Sequence, residues 1–167
     1  MKTMTKNNLQ AAFAGESQAH MKYVIFADKA EQEGWSNVAK LFRAIAYAEL
    51  VHATNHLKAL GGIGPSAENL QTAINGETYE VEEMYPAFAA VAELQGEKKA
   101  LRGMNWALEA EKYHADIYSQ AKEAVEAGRD IELDQVYVCE LCGWTGVGEP
   151  PDRCPLCNAK KDKFRIF

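Results

Sequence analysis

Ala48-Glu49-Leu50-Val51-His52 returns 62 residues later as Ala110-Glu111-Lys112-Tyr113-His114. Each copy is a Glu-x-x-His, and on a helix residues three apart sit one above the other on the same face. That face is apolar in both places. Val38, Phe42, Ile45, Glu49, His52 and His56 form one stripe, and Met104, Leu108, Glu111, His114, Tyr118 and Ala121 form the other. A carboxylate and an imidazole therefore stand where leucines belong. A carboxylate there costs several kcal/mol, on the order of the desolvation penalty, unless a proton, an ion pair or a metal matches its charge. Two Glu-x-x-His helices, with a glutamate from each of two further helices, form the donor set of a dinuclear iron or manganese site in a four-helix bundle.

Working outward, the pattern predicts helices over 5–33 and 36–60, with Gly34 ending the first and Ser36 capping the second. So short a break makes them an antiparallel pair. The run Gly61-Gly62-Ile63-Gly64-Pro65-Ser66 stops the second helix. Residues 67–76 fit either a short helix or part of a connection, and 61–76 is long enough for the crossover that ferritin-like bundles need. A third helix is expected over 77–95, kinked at Pro86, and a fourth over 97–127, stopped by Gly128. Tyr23 and Tyr85, Phe26 and Phe88, and Gly34 and Gly96 keep the 62-residue offset, so the bundle reads as one hairpin used twice.

Five carboxylates face inward on this reading: Glu16, Glu49, Glu80, Glu83 and Glu111. With His52 and His114 they make seven candidate ligands. Five negative charges in a core demand compensation of the size two metal ions bring, and oxygen-rich ligation with one imidazole per metal suits iron or manganese better than zinc. His20 and His56 lie on inward stripes, as histidines supporting the ligands or satisfied within the core. Tyr23 and Tyr85 either donate to ligand carboxylates or simply pack. Glu82 and Glu109 are expected to face solvent.

Composition changes after Gly128. A polar connector over 128–134 closes a first domain of residues 1–134, and residues 135–167 form a second, opening on the strand-like Val136-Tyr137-Val138. Its Cys139-Glu-Leu-Cys142 and Cys154-Pro-Leu-Cys157 are two metal knuckles, with Gly143 and Asn158 placed for the positive φ that follows the second cysteine. Four thiolates mean zinc or iron. A module this small needs a bound metal to fold.

The whole reduces to one composite. The chain carries 47% hydrophobic residues and a formal net charge of −6. That charge leaves no basic face for nucleic acid or an anionic membrane. Without a signal-like start or a membrane-length apolar run, the expected compartment is the cytoplasm. Cysteines confined to Cys-x-x-Cys pairs in such a chain point to metal rather than disulfides.

The segments Phe13-Ala-Gly-Glu-Ser-Gln-Ala19, the two Glu-x-x-His helices, Glu80-Val-Glu-Glu83-Met-Tyr-Pro86 and the two knuckles resemble the rubrerythrin family over nearly the full length. The resemblance implies an all-α, ferritin-like four-helix bundle holding two irons, joined to a small β-rich, rubredoxin-like domain holding one iron at four cysteines. It implies that Glu49 and Glu111 bridge the metals, that Glu16 and Glu83 bind terminally, that His114 stays on one iron, and that Glu80 and His52 exchange on the other. It further implies a peroxidase reducing hydrogen peroxide to water. Electrons would come from an external NAD(P)H-dependent reductase or a rubredoxin, because no Gly-x-Gly-x-x-Gly is present. The expected assembly is a homodimer or higher homo-oligomer. The gap between the knuckles is shorter than in free-standing rubredoxins, and Asn158 replaces a glycine, which keeps zinc open as the occupant. The rival readings are a ferritin-like iron oxidase for storage and a zinc-binding structural module.

Overall fold

A computed structural model describes residues 1–167, which divide into two compact units, Met1–Gly64 and Pro65–Phe167. The first is a helical hairpin of α1 (Thr3–Gln32) and α2 (Ser36–Ala59). Gly34 takes φ +84°, and the Trp35 N–H reaches the Ala30 carbonyl, closing α1 with the six-residue bond of a Schellman turn. Trp35, not Ser36, then caps α2, with no side-chain hydrogen bond. The turn is so tight that the residue ending one helix already begins the next. Ala27 and Ala30 of α1 and Ala39, Ala46 and Ala53 of α2 are the buried residues of these helices. Small side chains let the backbones approach closely. Arg43 ties α2 to Glu31 and Asp28 of α1 through exposed ion pairs of 2.7 and 3.4 Å, which water screens into a minor contribution.

In the second unit, α3 (Ser66–Tyr79), a π-helical turn (Glu80–Met84) and α4 (Tyr85–Leu94) follow without interruption, and α5 (Lys98–Glu126) returns against them. The chain thus forms four helical rods. Two expectations change. The stretch over 67–76 is regular helix, so the non-helical connection shrinks to the few residues around Gly61–Pro65. The irregularity attributed to Pro86 lies one turn earlier, as the five-residue π-turn. There the Tyr85 N–H bonds the Glu80 carbonyl, five residues back. Pro86 has no N–H to offer the preceding turn, so the ladder is already broken there and a wider turn costs little more.

Beyond α5, β1 (Val136–Cys139) is the central strand of a three-stranded antiparallel sheet, between β2 (Thr145–Val147) and β3 (Phe164–Ile166). A 3₁₀ turn, Lys161–Lys163, leads into β3. Tyr137 packs edge-on to Phe164 and lies over Gly146, where a Cβ would collide with the phenol ring. Cys139 is the largest fully buried side chain of the molecule. No helix is long and apolar enough to cross a membrane.

Candidate metal centres

The first unit brings Glu16 of α1 together with Glu49 and His52 of α2, their ligand atoms all within 4.8 Å of one another. The His52 Nδ1 lies 3.0 Å from Glu49. Hydrogen bonds from His52 and then Glu16 hold the Glu49 carboxyl below its ordinary range. His20 is engaged elsewhere: its Nδ1 meets the Ala46 carbonyl of α2 at 2.8 Å, a satisfied core histidine linking the two helices. Tyr23 packs among Phe26 and Phe42. His56 belongs to neither metal-ligating group.

The second unit repeats the arrangement with Glu77, Glu111 and His114. The His114 Nδ1 faces Glu111 in a short contact. Burial, a hydrogen bond with Glu111, and the charges of Glu111 and Glu80 push the Glu77 carboxyl up to about 7. Burial and the Glu111 charge likewise raise Glu80, while His114 opposes them. Tyr85 is raised by burial and by Glu80, Glu111 and Glu77, so its phenol stays an O–H donor beside the carboxylates. Glu83 is exposed and outside the group, as is Glu82, and half-exposed Glu109 pairs with Lys112 at 2.6 Å.

Glu77 is the residue that spacing did not single out, although its signal was present. Gly15-Glu16-Ser17 recurs as Gly76-Glu77-Thr78 at an offset of 61, whereas Tyr23 recurs as Tyr85 at 62. One additional residue therefore lies between Glu77 and Tyr85, within the stretch where the π-turn absorbs it. A constant 62-residue offset overlooks this, and it also hides that α3 repeats the first half of α1.

At the far end of this unit the thiols of Cys139, Cys142, Cys154 and Cys157 converge within 4.8 Å, two pairs lying at 3.5 and 3.6 Å. Gly143 at φ +80° and Asn158 at φ +62° turn the knuckles, their N–H groups bonding the carbonyls of Cys139 and Cys154. Burial pushes the Cys142 thiol up. Burial acts on Cys154 too, but the N–H groups of Cys157 and Leu156, together with the thiols of Cys142 and Cys157, outweigh it and hold that thiol below its ordinary value. The knuckle reaches α5 directly. The His114 Nε2 and the Thr145 Oγ1 are 2.7 Å apart, Thr145 donates to the Gly143 carbonyl, and Trp144 stacks on Tyr113 at 6.2 Å. An apolar cleft of about 360 Å³ lies alongside, lined by His114, Ile117, Leu133, Val136 and Thr145 among others.

These donors fit iron. Each carboxylate–imidazole group offers oxygen-rich ligation with a single nitrogen. The crowding that raises Glu77 and Glu80 is what a divalent cation relieves, and four convergent sulfurs match a tetrahedral ion.

The family model described as rubrerythrin matches residues 7–122, and that of the rubredoxin-like domain of rubrerythrin matches 137–165. This chain belongs to the rubrerythrin family. Rubrerythrin-2 of Clostridium acetobutylicum is 42% identical, over 98% of this chain and 97% of its own length. Nigerythrin of Nitratidesulfovibrio vulgaris is 36% identical, over 98% of this chain and 86% of that protein. A solved structure of nigerythrin in a mixed-valence state matches with a TM-score of 0.55 at 35% identity, covering 98% of this chain and 86% of that one. Membership carries the fold class, ferritin-like helices with a rubredoxin-like module, and the cofactors, a carboxylate–histidine di-iron site and a four-cysteine site. Rubrerythrin-family proteins are oxidoreductases, a class tied to oxidative stress.

Proposed function

We propose that this rubrerythrin is a peroxidase that reduces hydrogen peroxide to water and takes its electrons through the cysteine centre from a separate NAD(P)H-linked reductase or a small rubredoxin. The supporting observation is the contact chain Cys142–Gly143–Thr145–His114, which links a four-thiol knuckle to an imidazole of a carboxylate cluster. Iron storage has no use for that link, and a structural zinc module has none for the carboxylates.

On this reading residues 1–134 carry the helical metal site, with 128–134 as linker, and 135–167 carry the relay. α5 ends at Glu126 and β1 begins at Val136, which supports a division there. Glu49 and Glu111 would bridge the two irons, Glu16 and Glu77 would bind terminally, and His114 would stay on one metal. Glu77 takes the place first given to Glu83, because it is Glu77 that lies with Glu111 and His114. Glu80, whose carboxyl feels Glu111 and His114, and His52, half-exposed beside Glu49, are the pair able to trade places on the other metal. When bound, a ferrous pair supplies two electrons to the O–O bond and the cysteine-held iron replenishes them singly, so that with two protons one peroxide becomes two waters.

The chain's own part is orientation and proton supply. Thr145 accepts from the His114 Nε2–H, its own hydroxyl being committed to Gly143, which leaves Nδ1 to face the metal. Tyr85 keeps its proton, held there by burial and by the neighbouring carboxylate charges. The assembly is proposed to be a homodimer. Anaerobically reduced protein mixed with one equivalent of peroxide should consume it without release of oxygen. Peroxide left intact, with oxygen-driven build-up of ferric mineral instead, would establish the storage reading.

A further inference from the structure

Within the second unit, little holds the cysteine module to the helices. α5 ends at Glu126 and β1 begins at Val136, and of the nine residues between them only Ile131 is even partly buried. A connection so exposed tethers the module without fixing its position. Nor is the space beneath it filled. The cleft of about 360 Å³ has Leu70, Ile117 and Ala121 of the helices and Val136 and Val147 of the module among its walls. Close-packed interiors hold few voids larger than a water molecule, so broad packing does not seat this face.

Two contacts beside the first knuckle remain. One is the polar link from Thr145 to His114, which the proposed electron path uses. The other is Trp144, whose ring stacks on Tyr113 of α5 with centroids 6.2 Å apart and planes at 29°, and which that path leaves without a role. Trp144 is nonetheless built into the knuckle. Its carbonyl accepts the Cys139 N–H at 2.8 Å, and its own N–H bonds the Cys142 thiol. A single residue thus grips two of the four cysteines through its main chain and α5 through its side chain. Tyr113, on the other side of the stack, directly precedes His114.

We propose that the Trp144–Tyr113 stack is the seat that holds the cysteine module against α5, and that Trp144 is a positioning residue for the electron relay. It acts through the placement of the module rather than on the reacting atoms. The step it governs moves one electron from the group held by the cysteines to the carboxylate cluster. The first is oxidised and the second reduced, and no bond or proton changes hands. Single-electron transfer weakens steeply with separation, so a module free to lift from α5 delivers electrons only while it is seated. A ring pair of this kind is worth roughly a tenfold factor in the equilibrium between the seated and lifted module. The inference rests on the relay reading of the cysteine centre but not on peroxide being the substrate.

The test compares full-length, iron-loaded Trp144→Ala and Trp144→Phe with the wild type. Trp144→Ala should hold as much iron as the wild type, keep the absorption spectrum of its cysteine centre and, once chemically reduced, still consume peroxide. Its turnover with an NAD(P)H-linked reductase should fall about tenfold, and Trp144→Phe, which restores a ring, should recover most of the loss. Hydroxyl-radical footprinting gives a reading that needs no turnover. Ile117 of α5 and Val147 of β2 line the cleft, and both should be oxidised several-fold faster in Trp144→Ala and at the wild-type rate in Trp144→Phe. Wild-type turnover in Trp144→Ala, or a phenylalanine variant no better than the alanine one, overturns the proposal. If Trp144→Ala loses its cysteine iron, Tyr113→Leu removes the other half of the stack with the knuckle untouched, and the same two readings decide. Labelling that follows the ring while no variant, wild type included, consumes peroxide would keep the seat and sink the peroxidase reading alone.

Discussion

Glu77 and Glu83 make the sharpest contrast between single residues. Both lie in an acidic stretch and both precede the same tyrosine–proline pair, yet only Glu77 meets Glu111 and His114. Glu77→Ala removes a terminal carboxylate and should leave the dinuclear site at least about tenfold weaker for one of its irons, since even residues one step behind the ligands change affinity by 10–100-fold. Glu83→Ala removes an exposed side chain and should leave iron per chain unchanged. Metal analysis after dialysis reads both, and loss of iron from the Glu83 variant alone would restore the terminal role that the family resemblance implied for it. Thr145 is a positioning residue. In Thr145→Val the Nε2–H of His114 loses its acceptor, and the imidazole loses the bond that fixes which nitrogen faces the metal. Iron held by His114 should dissociate about tenfold more readily, and Thr145→Ser, which keeps the hydroxyl, should recover most of the difference. If valine and serine behave alike, the contact has no part in holding the ring.

At the scale of the element, the π-turn decides which carboxylates face inward. Relative to α1 the rod from Ser66 to Leu94 carries one residue more, and Glu80–Met84 is where it is absorbed. Deleting the exposed Glu82 should return this turn to α-helical spacing and leave seven residue steps from Glu77 to Tyr85, as from Glu16 to Tyr23 in α1, so that Glu77 keeps its face. Iron content and the helical amplitude in far-ultraviolet circular dichroism should both be retained, and a sharp loss of iron would show that the turn does more than absorb the extra residue. The same turn explains what the sequence did and did not disclose. The Glu-x-x-His pairs, the hairpin glycines and the cysteine knuckles are local patterns whose spacing is fixed by a single helix or loop, so they were readable. The break at Pro86 was readable as a fact but not in form, because a missing N–H tells that a ladder is interrupted and not which preceding turn widens. Residues 67–76 were ambiguous because their apolar positions are few, and the repeat that identifies them, Gly15-Glu16-Ser17 against Gly76-Glu77-Thr78, is out of step with the rest by the very residue the π-turn takes up.

For the whole molecule, the contact between the cysteine module and α5 is what lets single electrons refill the carboxylate cluster on the proposed reading. The link runs through Gly143 and Thr145 to His114, with Trp144 stacked on Tyr113 beside it. Cys142→Ser takes one of the four sulfurs that a tetrahedral ion requires and should disable that centre without touching the carboxylates. Steady-state peroxide consumption with an NAD(P)H-linked reductase should then fall to background, while the chemically reduced variant still consumes one equivalent of peroxide. Turnover equal to that of the wild type would show that electrons reach the carboxylates by a route that bypasses the cysteines.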